Sequence, residues 1–178
     1  MNFPAATNSR ECGSCTLCCK LMNVPAFGKP SGNWCPHVRK GQGCSIYDSR
    51  PDCCASFVCG YLAWPQAGEH WNPARCKMVI YALDKTRLVI EVDPDTPNVW
   101  KLDPHYSDIK RWAREAVQTR TQQLIVQVGN RIIAVLPDQD IDLGILDDNE
   151  VVAIDRSEDG SYSARKCKVG DPRLQGAG

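Results

Sequence analysis

"QLIVQVGNRIIAVLP", residues 123 to 137, sets two β-branched apolar runs on either side of Gly129-Asn130. Glycine and asparagine tolerate the positive φ angles of a two-residue turn, so the stretch reads as a β-hairpin. Upstream, "DPHYSDIKRWAREAVQTR" (103–120) repeats Ile109, Trp112, Ala113, Ala116 and Val117 at helical spacing, which predicts a helix with one apolar stripe. Asp103 can cap that helix, with Pro104 at its first position. "KMVIYALD" (77–84) and "RLVIEVD" (87–93) flank a polar loop at Asp84 to Thr86 and predict another hairpin. "NEVVAIDRSEDGSYSARKCKV" (149–169) predicts a third, turning at Asp159-Gly160. Residues 77–169 are therefore expected to form an antiparallel sheet with at least one packed helix.

The text before Cys76 is of another kind. It is rich in Cys, Gly and Pro and has little sustained apolar periodicity, so it cannot fold on hydrophobic burial alone. Eleven cysteines occur in the 178 residues, and nine of them lie within the first 59. The expected class is thus α+β: an irregular cysteine-rich metal-binding module over 1–76, the sheet and helix over 77–169, and a mobile polar tail over 170–178. Lys plus Arg and Asp plus Glu number 21 each, which argues against a nucleic-acid partner. No apolar run is long enough to span a bilayer, and "MNFPAATNSRE" lacks the features of a secretory signal. With the start taken as native, a cytoplasmic location is expected, and there dense thiols bind metal or do redox chemistry more often than they form disulfides.

In "ECGSCTLCCK" (11–20) the C-x-x-C step occurs twice in succession, from Cys12 to Cys15 to Cys18, and Cys19 follows at once. Such a step lets two sulfurs reach one ion while backbone amides turn toward the thiolates. Zinc sites usually combine one pair with a second from a distant segment. Three cysteines at this interval with a remote fourth are how bacterial ferredoxins hold a four-iron cluster. Adjacent side chains such as Cys18 and Cys19 tend to point in different directions, so they suit two metals, or one metal and the packing, better than a single ion. In "WCPHVRKGQGCSIYDSRPDCCASFVC" (34–59), Gly41 and Gly43 can bring Cys35 and Cys44 together, and Arg50-Pro51 fixes a turn before Cys54 and Cys59. Eight thiols then make two groups of four: two four-coordinate metals, or one four-iron cluster with a second site.

These motifs resemble the bacterial CxxCxxCC family, described as zinc- or iron-chelating, which includes the cysteine-rich part of flagellin lysine N-methylase. The resemblance covers roughly residues 12–75. It rests on cysteine order, the Ile-Tyr-x-x-Arg-Pro step at 46–51 and the Cys-x-x-Phe-x-Cys end at 54–59. It implies metal ligation by Cys12, Cys15, Cys18, Cys19, Cys35, Cys44, Cys54 and Cys59, with Tyr47, Arg50, Pro51 and Phe57 as matching positions. Cys53 and Val38 depart from the pattern, and Cys53 can trade roles with Cys54.

Other side chains have plainer readings. Cys53, Cys76 and Cys167 read as small buried hydrophobes. His37 reads as a hydrogen-bond partner of a thiolate before a ligand. Arg50 reads as a counter-charge, and Trp34, Trp64 and Trp71 as aromatics wrapping the small module. No phosphate loop, serine elbow or H-E-x-x-H is present. The expected function is a metal-binding protein with an iron-sulfur cluster of the four-iron type, two zinc ions being the alternative. The sheet domain would offer a surface to a protein partner or small ligand. An iron-sulfur enzyme or redox protein acting on a protein, and metal storage or delivery, are the other classes.

Overall fold

The structure, a computed structural model, describes residues 10–119 and 123–171. The expected tail beyond Asp171 and the first nine residues lie outside these. The cysteine-rich segment carries only short elements: α1 (Cys18–Leu21), a small hairpin of β1 (Val38–Arg39) and β2 (Gly43–Cys44), α2 (Asp52–Ala55), α3 (Gly60–Ala63) and α4 (Pro73–Cys76). The β1–β2 connection depends on Gly41 at φ +72° and Gly43 at φ +115°, angles that side chains rarely adopt.

The rest is β3 (Met78–Ala82), β4 (Arg87–Val92), α5 (His105–Thr119), β5 (Gln123–Val128), β6 (Arg131–Val135), β7 (Asp140–Ile145), β8 (Glu150–Arg156) and β9 (Tyr162–Lys168), which is the expected order with one strand, β7, that the hairpin signals did not indicate. Strands β3 to β7 form one five-stranded sheet, and β8–β9 pair separately. The class is α+β, and the sheet is mixed where an antiparallel one was expected, because β4 and β5 run parallel with Arg87 opposite Gln123. A helix between two hairpins returns the chain to the starting end of the sheet, and parallel neighbours need such a crossover. The turn at Gly129-Asn130 uses positive φ only at Gly129, at +60°, the pattern of a turn with glycine at its first central position. Asp103 accepts hydrogen bonds from Ser107 N at 3.2 Å and Ser107 Oγ at 2.6 Å, securing the start of α5.

Each face of the sheet is covered differently. Met78, Ile80, Ile90, Leu124, Val126 and Val135 face Ile109, Trp112 and Ala113 of α5, together with Tyr61, Trp64, Trp71 and Cys76 from the end of the cysteine-rich segment. Trp64 and Trp71 lie 4.4 and 4.9 Å from the Trp112 ring, so they belong to the sheet's core rather than wrapping the module. Aromatic pairs of this kind contribute about 0.5–1.5 kcal/mol beyond the area they bury. On the opposite face Val89, Ile125 and Ala134 pack beneath Val152 and Ile154 of the β8–β9 hairpin, while Val79 packs with Leu17 and Leu21 of the thiol-rich segment. Strands β3 and β4 are thus buried on both sides, which is why they read as nearly unbroken apolar runs. Among the described residues no helix is long and apolar enough to cross a membrane.

Candidate metal centre

Backbone hydrogen bonds gather the cysteines before any metal is considered. Cys15 N donates to Cys12 O at 2.9 Å, closing the first C-x-x-C turn, and Cys35 N donates to Cys19 O at 3.0 Å, joining two distant stretches. The β1–β2 hairpin then sets Cys44 opposite Val38. Pro51 opens α2, and Cys54 N donates to Pro51 O at 2.9 Å. Gly60 lies so close to Ile80 of β3 that an added Cβ would come within 3.0 Å of the Ile80 carbonyl oxygen, and this contact seats Cys59 against the sheet.

The result is a cleft with a cavity of about 120 Å³ lined by Cys12, Cys15, Cys18, Cys19, Cys35, Cys44, Cys53 and Cys54. Phe27, Phe57, Ile46 and Met22 complete its apolar wall, and Tyr47 and Arg50 border it. A smaller recess of about 30 Å³ adjoins it, lined by Cys12, Cys15, Cys18 and Cys59. Of the eight positions expected from sequence, seven therefore meet in the cleft, and Cys59 meets three of them in the recess. Cys53 joins the cleft wall although its sequence reading was a buried hydrophobe; it is exposed. The adjacent pair Cys53–Cys54 was the signal for it.

His37 does not line either space; its ring packs on Phe27 with centroids 4.7 Å apart. Cys76 and Cys167 are buried as expected of small apolar side chains, and their thiols donate to Met78 O at 3.4 Å and Val151 O at 3.5 Å. The Arg50 guanidinium sits 3.9 Å from the centre of the Tyr47 ring. Trp34 carries Lys40 Nζ 4.6 Å from its ring centre.

Four of these thiols, Cys12, Cys18, Cys54 and Cys59, are raised above the ordinary thiol range, and Cys19 is lowered. Burial pushes the Cys59 thiol up to about 11, and burial with the neighbouring Cys53 does the same for Cys54. Cys12 is raised by burial and by Cys15, against the opposing Arg50. Cys18 donates a hydrogen bond to Cys19, which with burial holds Cys18 far above the ordinary thiol range. That same bond, helped by Lys29 and opposed by burial, brings Cys19 down to about 7. All eleven cysteines are free. A cation entering such a cluster exchanges protons for metal–sulfur bonds, so its binding must release protons.

Two constraints bear on which cation fits. Thiolate sulfur is soft and selects zinc or iron-sulfur clusters over calcium or magnesium. Yet among the described residues no three Cys, His, Asp or Glu side chains converge tightly enough to hold a single ion as they stand. The cysteines ring a cavity instead of crowding one point. No protein-family model, curated protein or solved structure matches this chain.

Proposed function

We propose that this is a metal-binding protein whose amino-terminal segment is organised around sulfur-ligated centres, with iron-sulfur chemistry favoured over zinc. The observation that carries the reading is the meeting of eight cysteines, from four separate stretches of a segment poor in aliphatic side chains, on one cavity. Cys19, Cys35, Cys44 and Cys54 are the ligand set for the larger cavity, and Cys12, Cys15, Cys18 and Cys59 for the recess. The vicinal pair Cys18–Cys19 is then divided between two centres. The resemblance of the cysteine order to the CxxCxxCC family supports the same eight ligands.

Spacing supports iron. Zinc bonds thiolate at about 2.3 Å, so its ligands crowd a single point. A four-iron cluster spreads its cysteines over separate iron atoms, which suits the sulfurs around the larger cavity; separately, the Cys12, Cys15, Cys18 interval with a remote Cys59, at the recess, is the ferredoxin-like sequence pattern. When bound, such a cluster supplies electron transfer. The protein supplies thiolates, an apolar wall of Phe27, Phe57 and Ile46, and the Arg50 cation beside Cys12. Metal binding would also be folding free energy for this segment, on the order of 10 kcal/mol or more for a structural zinc site in a small peptide.

The test is anaerobic purification followed by metal and acid-labile sulfide analysis. Brown protein containing iron and sulfide supports the reading in full. Colourless protein with stoichiometric zinc replaces iron by zinc. Folded protein that binds neither overturns it.

A further inference from the structure

His70 lies in a short 3₁₀ turn, Glu69–Trp71, and His105 opens α5. The centroids of their rings are 5.4 Å apart. Both rings are pinned through the same nitrogen: His70 Nε2 donates to Asp108 Oδ2 at 2.7 Å, and His105 Nε2 donates to the carbonyl oxygen of His70 at 3.0 Å. An ionised carboxylate and a carbonyl can only accept, so each neutral ring carries its proton on Nε2 and its lone pair on Nδ1. Among the described residues neither Nδ1 has a hydrogen-bond partner.

The surroundings hold both rings in place. Asp108 Oδ2 also accepts from Trp71 Nε1 at 2.9 Å, its other oxygen pairs with Arg111, and the Trp71 ring meets His105 edge-on at 4.9 Å. Gly68 leaves space at His70, because a Cβ there would come within 2.9 Å of both Nδ1 and Cε1.

A histidine that ligates a metal almost always gives its other N–H to a carboxylate or a backbone carbonyl, which fixes the tautomer and the ring orientation. That support is built twice here, on neighbouring rings. A tetrahedral ion about 2.0–2.1 Å from one nitrogen of each of two imidazoles sets their centroids about 5 Å apart, close to the spacing observed. Imidazole suits zinc, copper or nickel, whereas magnesium and calcium prefer oxygen.

We propose that His70 and His105 form a bis-histidine site for a divalent transition ion of the zinc type, bound through the two Nδ1 atoms, with Asp108 and the His70 carbonyl orienting the rings. Water fills the remaining positions, and the His70 side chain is 35 % exposed, enough to admit it. Among the described residues no third side chain completes the set, so the ion is exchangeable in a way that a closed four-ligand site is not. Neither histidine lines the cysteine cleft or its recess, and the site does not rest on the metal reading of the cysteines.

The test is an anaerobic Zn²⁺ titration of the full-length protein, continued past what the thiols take up, with the ring signals of its three histidines followed by NMR. His70 and His105 should move together over one further equivalent, while His37, packed on Phe27, stays still during that step. His105→Phe keeps an aromatic ring beside Trp71 and should abolish the step. Asp108→Asn keeps an acceptor for Trp71 and should weaken the zinc affinity about 10- to 100-fold, the usual cost of losing an orienting carboxylate. Parent histidines that never respond, one histidine moving alone, or all three moving equally would overturn the inference, and would leave the hydrogen bonds as a staple between α5 and the turn. Survival of the step in His105→Phe, or parent affinity in Asp108→Asn, would overturn it as well. The parent titration decides without any variant, so a variant that fails to fold leaves the site testable. Thiols that take up no metal would sink the cysteine reading and leave this one standing.

Discussion

Lys20 Nζ lies 2.6 Å from Asp93 Oδ1 in the interior, joining the residue next to Cys19 to the residue that follows β4. The ammonium also meets Asp95 Oδ2 at 2.6 Å, while Asp93 Oδ1 accepts from Asp95 N at 3.0 Å. Burial alone would lower the Lys20 pKa, and the hydrogen bonds that its ammonium donates to Asp93 and Asp95 outweigh it and raise it. The thiol-rich segment is thus anchored to the sheet by charge as well as by Leu17 and Leu21.

Removing one member of such a pair leaves the other desolvated and uncompensated, at a cost of about 3–5 kcal/mol for buried ion pairs. Lys20→Met should lower stability toward urea by about 3 kcal/mol, the low end of that range, since Asp93 keeps its backbone donor. A midpoint equal to the parent's would mean that water screens this pair despite its burial.

Glu91 makes a prediction about pH. It is 2 % exposed on the face of β4 that meets the thiol-rich segment, accepting from Tyr81 Oη at 3.3 Å and Ser31 Oγ at 3.4 Å. Burial outweighs both hydrogen bonds and pushes its pKa up from 4.5 to about 7. Between those values the folded chain holds a proton that the unfolded chain has released, so Glu91's contribution is full below pH about 4.5 and is lost as pH rises to about 7. Glu91→Gln carries no charge to desolvate. Relative to the parent it should gain stability across that window, by on the order of 2–3 kcal/mol at pH 8, and differ little at pH 4. Urea titrations at the two pH values check this, and a difference that is the same at both would locate the effect in packing.

How far the sequence foretold the molecule depends on what each signal reports. Alternation and turn residues are local, so the hairpins around Asp84 to Thr86, Gly129 and Gly160 were readable from neighbours alone. The parallel meeting of β4 and β5 was not, because it depends on the path of the chain through α5 and on which edge of the sheet remained open. Trp64 and Trp71 sit in a stretch without periodicity, so nothing local tied them to Trp112. The thiols were legible because few chemistries place cysteines at those intervals, whereas the pairing of His70 with His105 was not, since the two stand 35 residues apart and nothing local brings their rings together.

Gly60 tests whether the sheet seats the site. A Cβ there would lie 3.0 Å from both the Cβ and the carbonyl oxygen of Ile80, and the latter is part of β3 and cannot swing aside. Overpacking of this kind costs about 1–3 kcal/mol. Gly60→Ala should therefore destabilise the protein by that amount and displace the adjoining Cys59, weakening the recess formed with Cys12, Cys15 and Cys18. Denaturant unfolding and metal content together check it. Full stability with full metal content would show that α3 can move away from β3 without consequence.

The cysteines give the sharpest separation between ligand and filler. Cys44 lines the larger cavity, Cys15 borders the recess, and Cys167 lies in the β8–β9 hairpin with its thiol hydrogen-bonded to Val151 O. Serine is nearly isosteric, but its hydroxyl stays protonated at neutral pH and does not replace a thiolate. On the metal-binding proposal, Cys44→Ser should lose the metal of the larger cavity and Cys15→Ser that of the recess, each with a lower yield of soluble protein, as expected where metal binding is coupled to folding. Cys167→Ser should keep both metals, its cost confined to one buried hydrogen bond of about 1 kcal/mol. Metal stoichiometry of the three purified proteins decides the matter: loss from Cys167→Ser, or full content in both of the others, would move the ligands away from the cleft.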